Sequence, residues 1–89
     1  MNKILVIFAI EDVLSNMGKP VLEQVYAKLY SKHHCFITDC YEHPEYLNSI
    51  LKDLFGDSYE SVIKSIEQNL EDFAEQEPVK NFLTKLEGP

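Results

Sequence analysis

Residues 31–46, "SKHHCFITDCYEHPEY", gather all three histidines and both cysteines of an 89-residue chain. Thiolate and imidazole are the ligands zinc prefers, so Cys35, Cys40 and His43, with His33 and His34 just upstream, form the candidate metal set. A tetrahedral site is usually built from a close pair such as C-x2-C set opposite a second pair. Here four residues separate the cysteines and two more precede His43, which is no recognised knuckle.

A structural reading accounts for the same residues one by one. His33 and His34 fall in the last turn of a helix, where donor side chains suit the free carbonyls. Cys35, Phe36 and Ile37 serve as apolar anchors pinning the connection to the core, since a free cysteine behaves as a small hydrophobe. Asp39 and His43 take turn or cap positions. On this reading the chain holds no metal and no cofactor. Elsewhere no nucleophile sits beside a recognisable base, three glycines make no phosphate-cradling loop, and no H-E-x-x-H pattern occurs, so an enzyme is not expected.

The elements around this segment are helical. In "YLNSILKDLFG", Leu47, Ile50, Leu51, Leu54 and Phe55 recur at one face of a helix, opened by Pro44 and closed by Gly56. Asp57 and Glu60 suit a capping box for the next helix, whose apolar positions Tyr59, Val62, Ile63, Ile66, Leu70 and Phe73 carry it to about residue 75. Pro78 ends or kinks it, and Val79, Phe82, Leu83 and Leu86 make a short final helix. Upstream, "PVLEQVYAKLY" puts Leu22, Val25, Tyr26 and Leu29 on one face after the break at Gly18.

The run "ILVIFAI" at 4–10 suits a strand by its β-branched content. Yet Val6, Ile10, Val13, Leu14 and Met17 keep helical spacing beyond it, and a lone strand would have no partner, so a helix is expected. The fold expected is all-α, a single domain over residues 1–89 with four main helices and a short fifth. A first helix apolar all round needs cover on every side, which makes a homodimer through Val6, Ile10 and Leu14 an expectation.

Charge narrows the partners. Eight lysines and no arginine face 15 acidic residues, a formal net charge of −7. Phosphate backbones and anionic lipids are both repelled by such a chain, so neither nucleic acid nor membrane is an expected partner, and a protein is. The apolar run is also far short of the roughly 20 residues that span a bilayer, and "EDVLSNM" follows it where a signal-peptide cleavage site would stand. A cytoplasmic protein with free thiols is expected. Between Asp57 and Glu77 seven carboxylates meet the single Lys64, and Glu67, Glu71 and Glu75 recur every four residues, a face that would suit a cationic partner.

The order of "PVLEQVYAKLY", a short loop "CFIT", and "HPEYLNSILKDLFGDSYESVIKSIEQNLEDF" resembles the Nitrosopumilus output domain family over roughly residues 9–75. The resemblance is carried by the Gly18/Pro20 junction, the helix led by Pro44, and "LFG" at 54–56 before a long amphipathic helix. It implies a small archaeal module that senses, transmits or docks in signal transduction, and it brings no catalytic residue with it. A second likeness is to acyl carrier proteins, in which an Asp-Ser-Leu motif opens a helix and the serine carries phosphopantetheine. That likeness implies Ser58 as the attachment site, but Tyr59 stands in the leucine's place and "AEQEPVKNFLTKL" lacks the loop and short helix expected next.

Overall fold

The apolar run at 4–10 is helical: α1 spans Asn2–Asn16 in the computed structural model, which describes residues 2–88. A helix satisfies its backbone groups internally, whereas a lone strand would leave them unpaired inside the protein. α2 (Lys19–His33), α3 (Pro44–Phe55), α4 (Tyr59–Asn69) and the short α5 (Glu77–Leu86) follow. Three 3₁₀ turns, Ile37–Tyr41, Gly56–Ser58 and Glu71–Phe73, join them, and no strand occurs among the described residues.

Punctuation in the sequence sets most boundaries. Gly18, with φ of 128°, separates α1 from α2, and Gly56, with φ of 55°, follows α3. Pro20, Pro44 and Pro78 each lie in a first helical turn, where the missing N–H leaves no bond unmade. α2 ends without a glycine: His34 takes the left-handed conformation (φ 52°), and its N–H donates to the Tyr30 carbonyl at 3.0 Å.

Two expectations for the second half are corrected. α4 has no side-chain cap from Asp57 or Ser58; the 3₁₀ turn Gly56–Ser58 runs directly into it, with the Tyr59 N–H donating to the Gly56 carbonyl. α4 also stops at Asn69 instead of continuing to residue 75. The Leu70 N–H is shared between the Ile66 and Glu67 carbonyls, the chain tightens into the Glu71–Phe73 turn, and Leu70 is delivered into the core.

α1 packs against α2, α4, α5 and the turn at Ile37–Tyr41, while α3 packs against α2, α4 and α5. Their meeting point is one core in which Val6, Ile10 and Leu14 of α1 touch a cluster with Val25, Leu29, Leu47, Ile50, Leu51, Ile66 and Leu86. Asn48 is the buried polar residue in it, and its Nδ2 donates to the Leu86 carbonyl at 2.6 Å, tying α3 to the end of α5. α2 lies on a flank of this arrangement, which leaves its outer side uncovered.

Candidate interaction surface

Among the described residues, every large hydrophobic side chain standing well out of the protein belongs to α1, α2 or the residues linking them onward. Ile4 is 68% exposed, Phe8 70%, Tyr30 58% and Phe36 66%, with Met17 and Tyr26 less so. The helical repeat explains the first two. α1 turns Val6, Ile7, Ala9, Ile10, Val13 and Leu14 inward, and Ile4 and Phe8, one turn apart, are what remains of an all-apolar segment. On α2, Val25 and Leu29 face the core, while Glu23, Tyr26, Ala27 and Tyr30 recur at i, i+3, i+4 and i+7 along the outer side.

Phe36 joins this side because its backbone is extended (φ −106°, ψ 168°), so successive side chains alternate: Cys35 and Ile37 point in and Phe36 points out. Asp39 holds that conformation. Its carboxylate accepts from the Phe36 N–H at 2.9 Å, and its own N–H donates to the Phe36 carbonyl at 2.9 Å. The expectation that Phe36 anchors the connection in the core is therefore corrected.

Glu23, Tyr26, Ala27, Tyr30, Phe36 and Ile37 line an open groove of ≈ 530 Å³. Its walls are braced. Tyr30 packs on Phe36 with ring centroids 5.9 Å apart and meets His34 edge-on at 6.1 Å. The Tyr26 hydroxyl donates to Glu11 on α1 at 2.5 Å, and burial first, then this bond and the Glu11 charge, push the phenol up to about 12. Two smaller hollows continue the surface across α1. One is lined by Phe8, Glu11, Asp12, Ser15 and Leu22, the other by Lys3, Ile4, Ile7, Phe8, Glu11 and Thr38. Phe8 and Glu11 belong to both, and the Glu11–Tyr26 bond connects them to the groove on α2.

The residues expected for self-association lie elsewhere. Val6, Ile10 and Leu14 are fully buried, because α1 sits among α2, α4 and α5 and uses that stripe as core. The apolar surface α1 does present is Ile4 and Phe8. Glu67, Glu71 and Glu75 do not share one helix, since only Glu67 lies in α4, with Glu71 in the 3₁₀ turn and Glu75 beyond it; Glu67 and Glu71 nevertheless line one open hollow with Lys64 and Gln68, which Glu75 does not join. Glu67 also meets Glu87 past the end of α5. Hydrogen bonding to Glu87, then burial and the Glu87 charge, raise Glu67 to about 7, against a smaller opposing pull from Lys64.

Cys35, Cys40 and His43 are not brought together as ligands, and no group of three histidine, cysteine or carboxylate side chains among the described residues could hold a metal ion. Cys40 is fully buried, and burial pushes its thiol up to about 12, the reverse of what a thiolate ligand requires. Burial, helped by the Asp39 charge, raises Cys35 as well. His43 is exposed, with Nδ1 3.2 Å from Glu45, and its ring stacks on Tyr46 at 4.7 Å. Tyr46 also stacks on His33 at 4.3 Å, so two of the histidines fix the end of α2 against the start of α3. Ser58, the attachment site implied by the acyl-carrier likeness, is exposed in the turn before α4. No helix of the described residues is long and apolar enough to cross a membrane.

Comparison with family models, with curated proteins and with solved structures finds no match to this chain.

Proposed function

We propose that this chain is a non-catalytic helical module for protein interaction or signal output, and that its working surface is the aromatic side formed by α1, α2 and Phe36. The observation that carries this reading is the gathering of Ile4, Phe8, Tyr26, Tyr30 and Phe36 around connected hollows, on a chain whose α3, α4 and α5 hold their large apolar side chains buried or partly buried. Contiguous exposed apolar surface rimmed by polar groups marks contact sites, and a tyrosine or phenylalanine supplies large area with little rotamer entropy to lose. The resemblance to the Nitrosopumilus output domain family agrees with a docking part in archaeal signalling. Val6, Ile10 and Leu14 take no part in this surface; what α1 contributes to it is Ile4 and Phe8.

Capture from native lysate at near-physiological salt tests the proposal by comparison. The wild-type chain is expected to retain discrete binders that the combined variant Phe8→Ser, Tyr30→Ser, Phe36→Ser loses while still folding, as followed by circular dichroism. Equal recovery by both would refute it. The acyl-carrier reading, which the exposure of Ser58 favours, has its own test. Incubation with a phosphopantetheinyl transferase and coenzyme A would add the arm to the intact mass and Ser58→Ala would abolish the gain; no gain is expected.

A further inference from the structure

The charges bordering the aromatic side are mostly negative; the lysines near it are Lys3 and Lys19, the latter one turn before Glu23 on α2. Glu11, Asp12 and Glu23 line its hollows, Glu11 also accepting from Tyr26 and Asp12 from Asn69 of α4 at 2.9 Å, and Lys3, the lysine among the lining residues, is held at 2.9 Å by Glu42. Cations brought to this rim would meet carboxylates, and anions would be repelled. A second copy of the chain is a poor occupant, because a two-fold interface sets the same patch opposite itself and would face these carboxylates with their own kind, on chains each carrying −7. An extended peptide is poorly served too, since no strand edge among the described residues is there to pair its backbone. A helix satisfies its own backbone and can lay an apolar stripe into a groove.

Resting on the reading of this side as the working surface, we propose that it takes an amphipathic helix of a partner protein. That helix places aliphatic or aromatic residues at i, i+3 or i+4, and i+7 against Phe8, Tyr26, Tyr30 and Phe36. Lysine or arginine flanks the stripe and meets Glu11, Asp12 and Glu23.

Two helical peptides of about 18 residues with the same leucine stripe, one with lysine and one with glutamate at the flanking positions, probe this directly. Affinity is read by fluorescence anisotropy at low and high salt, and location by amide shifts of the labelled protein. The lysine peptide is expected to bind roughly tenfold more tightly at low salt, with shifts on α1 and α2 and a gap that narrows as salt screens the rim. The combined variant Glu11→Gln, Asp12→Asn, Glu23→Gln is expected to erase that gap without changing thermal unfolding by more than a few degrees.

Equal affinity of the two peptides at α1 and α2 would overturn the cationic partner while leaving the docking surface in place. Lysine-peptide shifts confined to α4 and α5 would overturn it as non-specific attraction. If Phe8→Ser with Tyr30→Ser leaves both affinities unchanged, the working surface itself is refuted. Sedimentation showing a dimer that Phe8→Ser dissociates would assign the face to a second copy.

Discussion

Cys40 illustrates how burial decides what a reactive residue type can do. With its side chain fully enclosed and its thiol pushed up to about 12, it is a core atom in practice. Labelling with a thiol reagent at pH 8 should leave Cys40 unmodified in the native protein and modify it on unfolding in denaturant; fast native labelling would show the pocket to be open. Glu67 is the reverse case, a residue type of ordinary chemistry made unusual by its neighbour Glu87. Its folded value of about 7 lies above the ordinary 4.5, so the folded state holds a proton that the unfolded chain releases. The associated stability is present below about 4.5 and is lost as pH rises through about 7. The amide introduced by Glu67→Gln can donate to Glu87 at every pH, so the variant should gain on the wild type in urea midpoint across that interval, and an unchanged difference would count against the pair. Neither residue's environment could be read from the sequence, because Cys40 and Glu87 acquire their surroundings from elements distant in the chain. The histidines were more legible: the end of α2 at His33 and His34 follows from local spacing.

At the scale of elements, helical periodicity located all five helices, and the glycines and prolines marked most of their ends. Gly18 is the clearest case. Its φ of 128° lies where a side chain is strained, so Gly18→Ala should destabilise the protein by about 1–3 kcal/mol in a chemical denaturation curve even though the added methyl would meet Pro20 Cδ at an unstrained 3.8 Å. No change would mean that the α1–α2 junction relaxes freely. The periodicity failed where a change in hydrogen bonding outweighed it. Leu70 and Phe73 continue the apolar repeat of α4, but the backbone has already tightened after Asn69, so Glu75 does not join the hollow that Glu67 and Glu71 still line together. Phe36 failed for a related reason. Three adjacent apolar residues in an extended segment cannot all point inward, and the Asp39 carboxylate fixes which one points out.

For the molecule as a whole, the need to cover α1 was legible in its all-apolar first turns, but the face left uncovered was not. Val6, Ile10 and Leu14 have the right spacing for an interface; the packing of α2, α4 and α5 around them turns that stripe into core and leaves Ile4 and Phe8 outside. The exposed aromatics of α2 and Phe36 then extend this remainder into a continuous side, because α2 occupies a flank of the bundle and nothing in the chain packs beyond it among the described residues. Net charge gives the acidic excess, but not that Glu11, Asp12 and Glu23 line hollows beside the exposed aromatics. The most direct measurement is site-specific photo-crosslinking in native lysate, with a benzophenone side chain placed at position 36 in one sample and at position 68, exposed on α4, in another. Discrete crosslinked partners at position 36 and none at position 68 are predicted; the opposite pattern would rule out the aromatic side as the working surface.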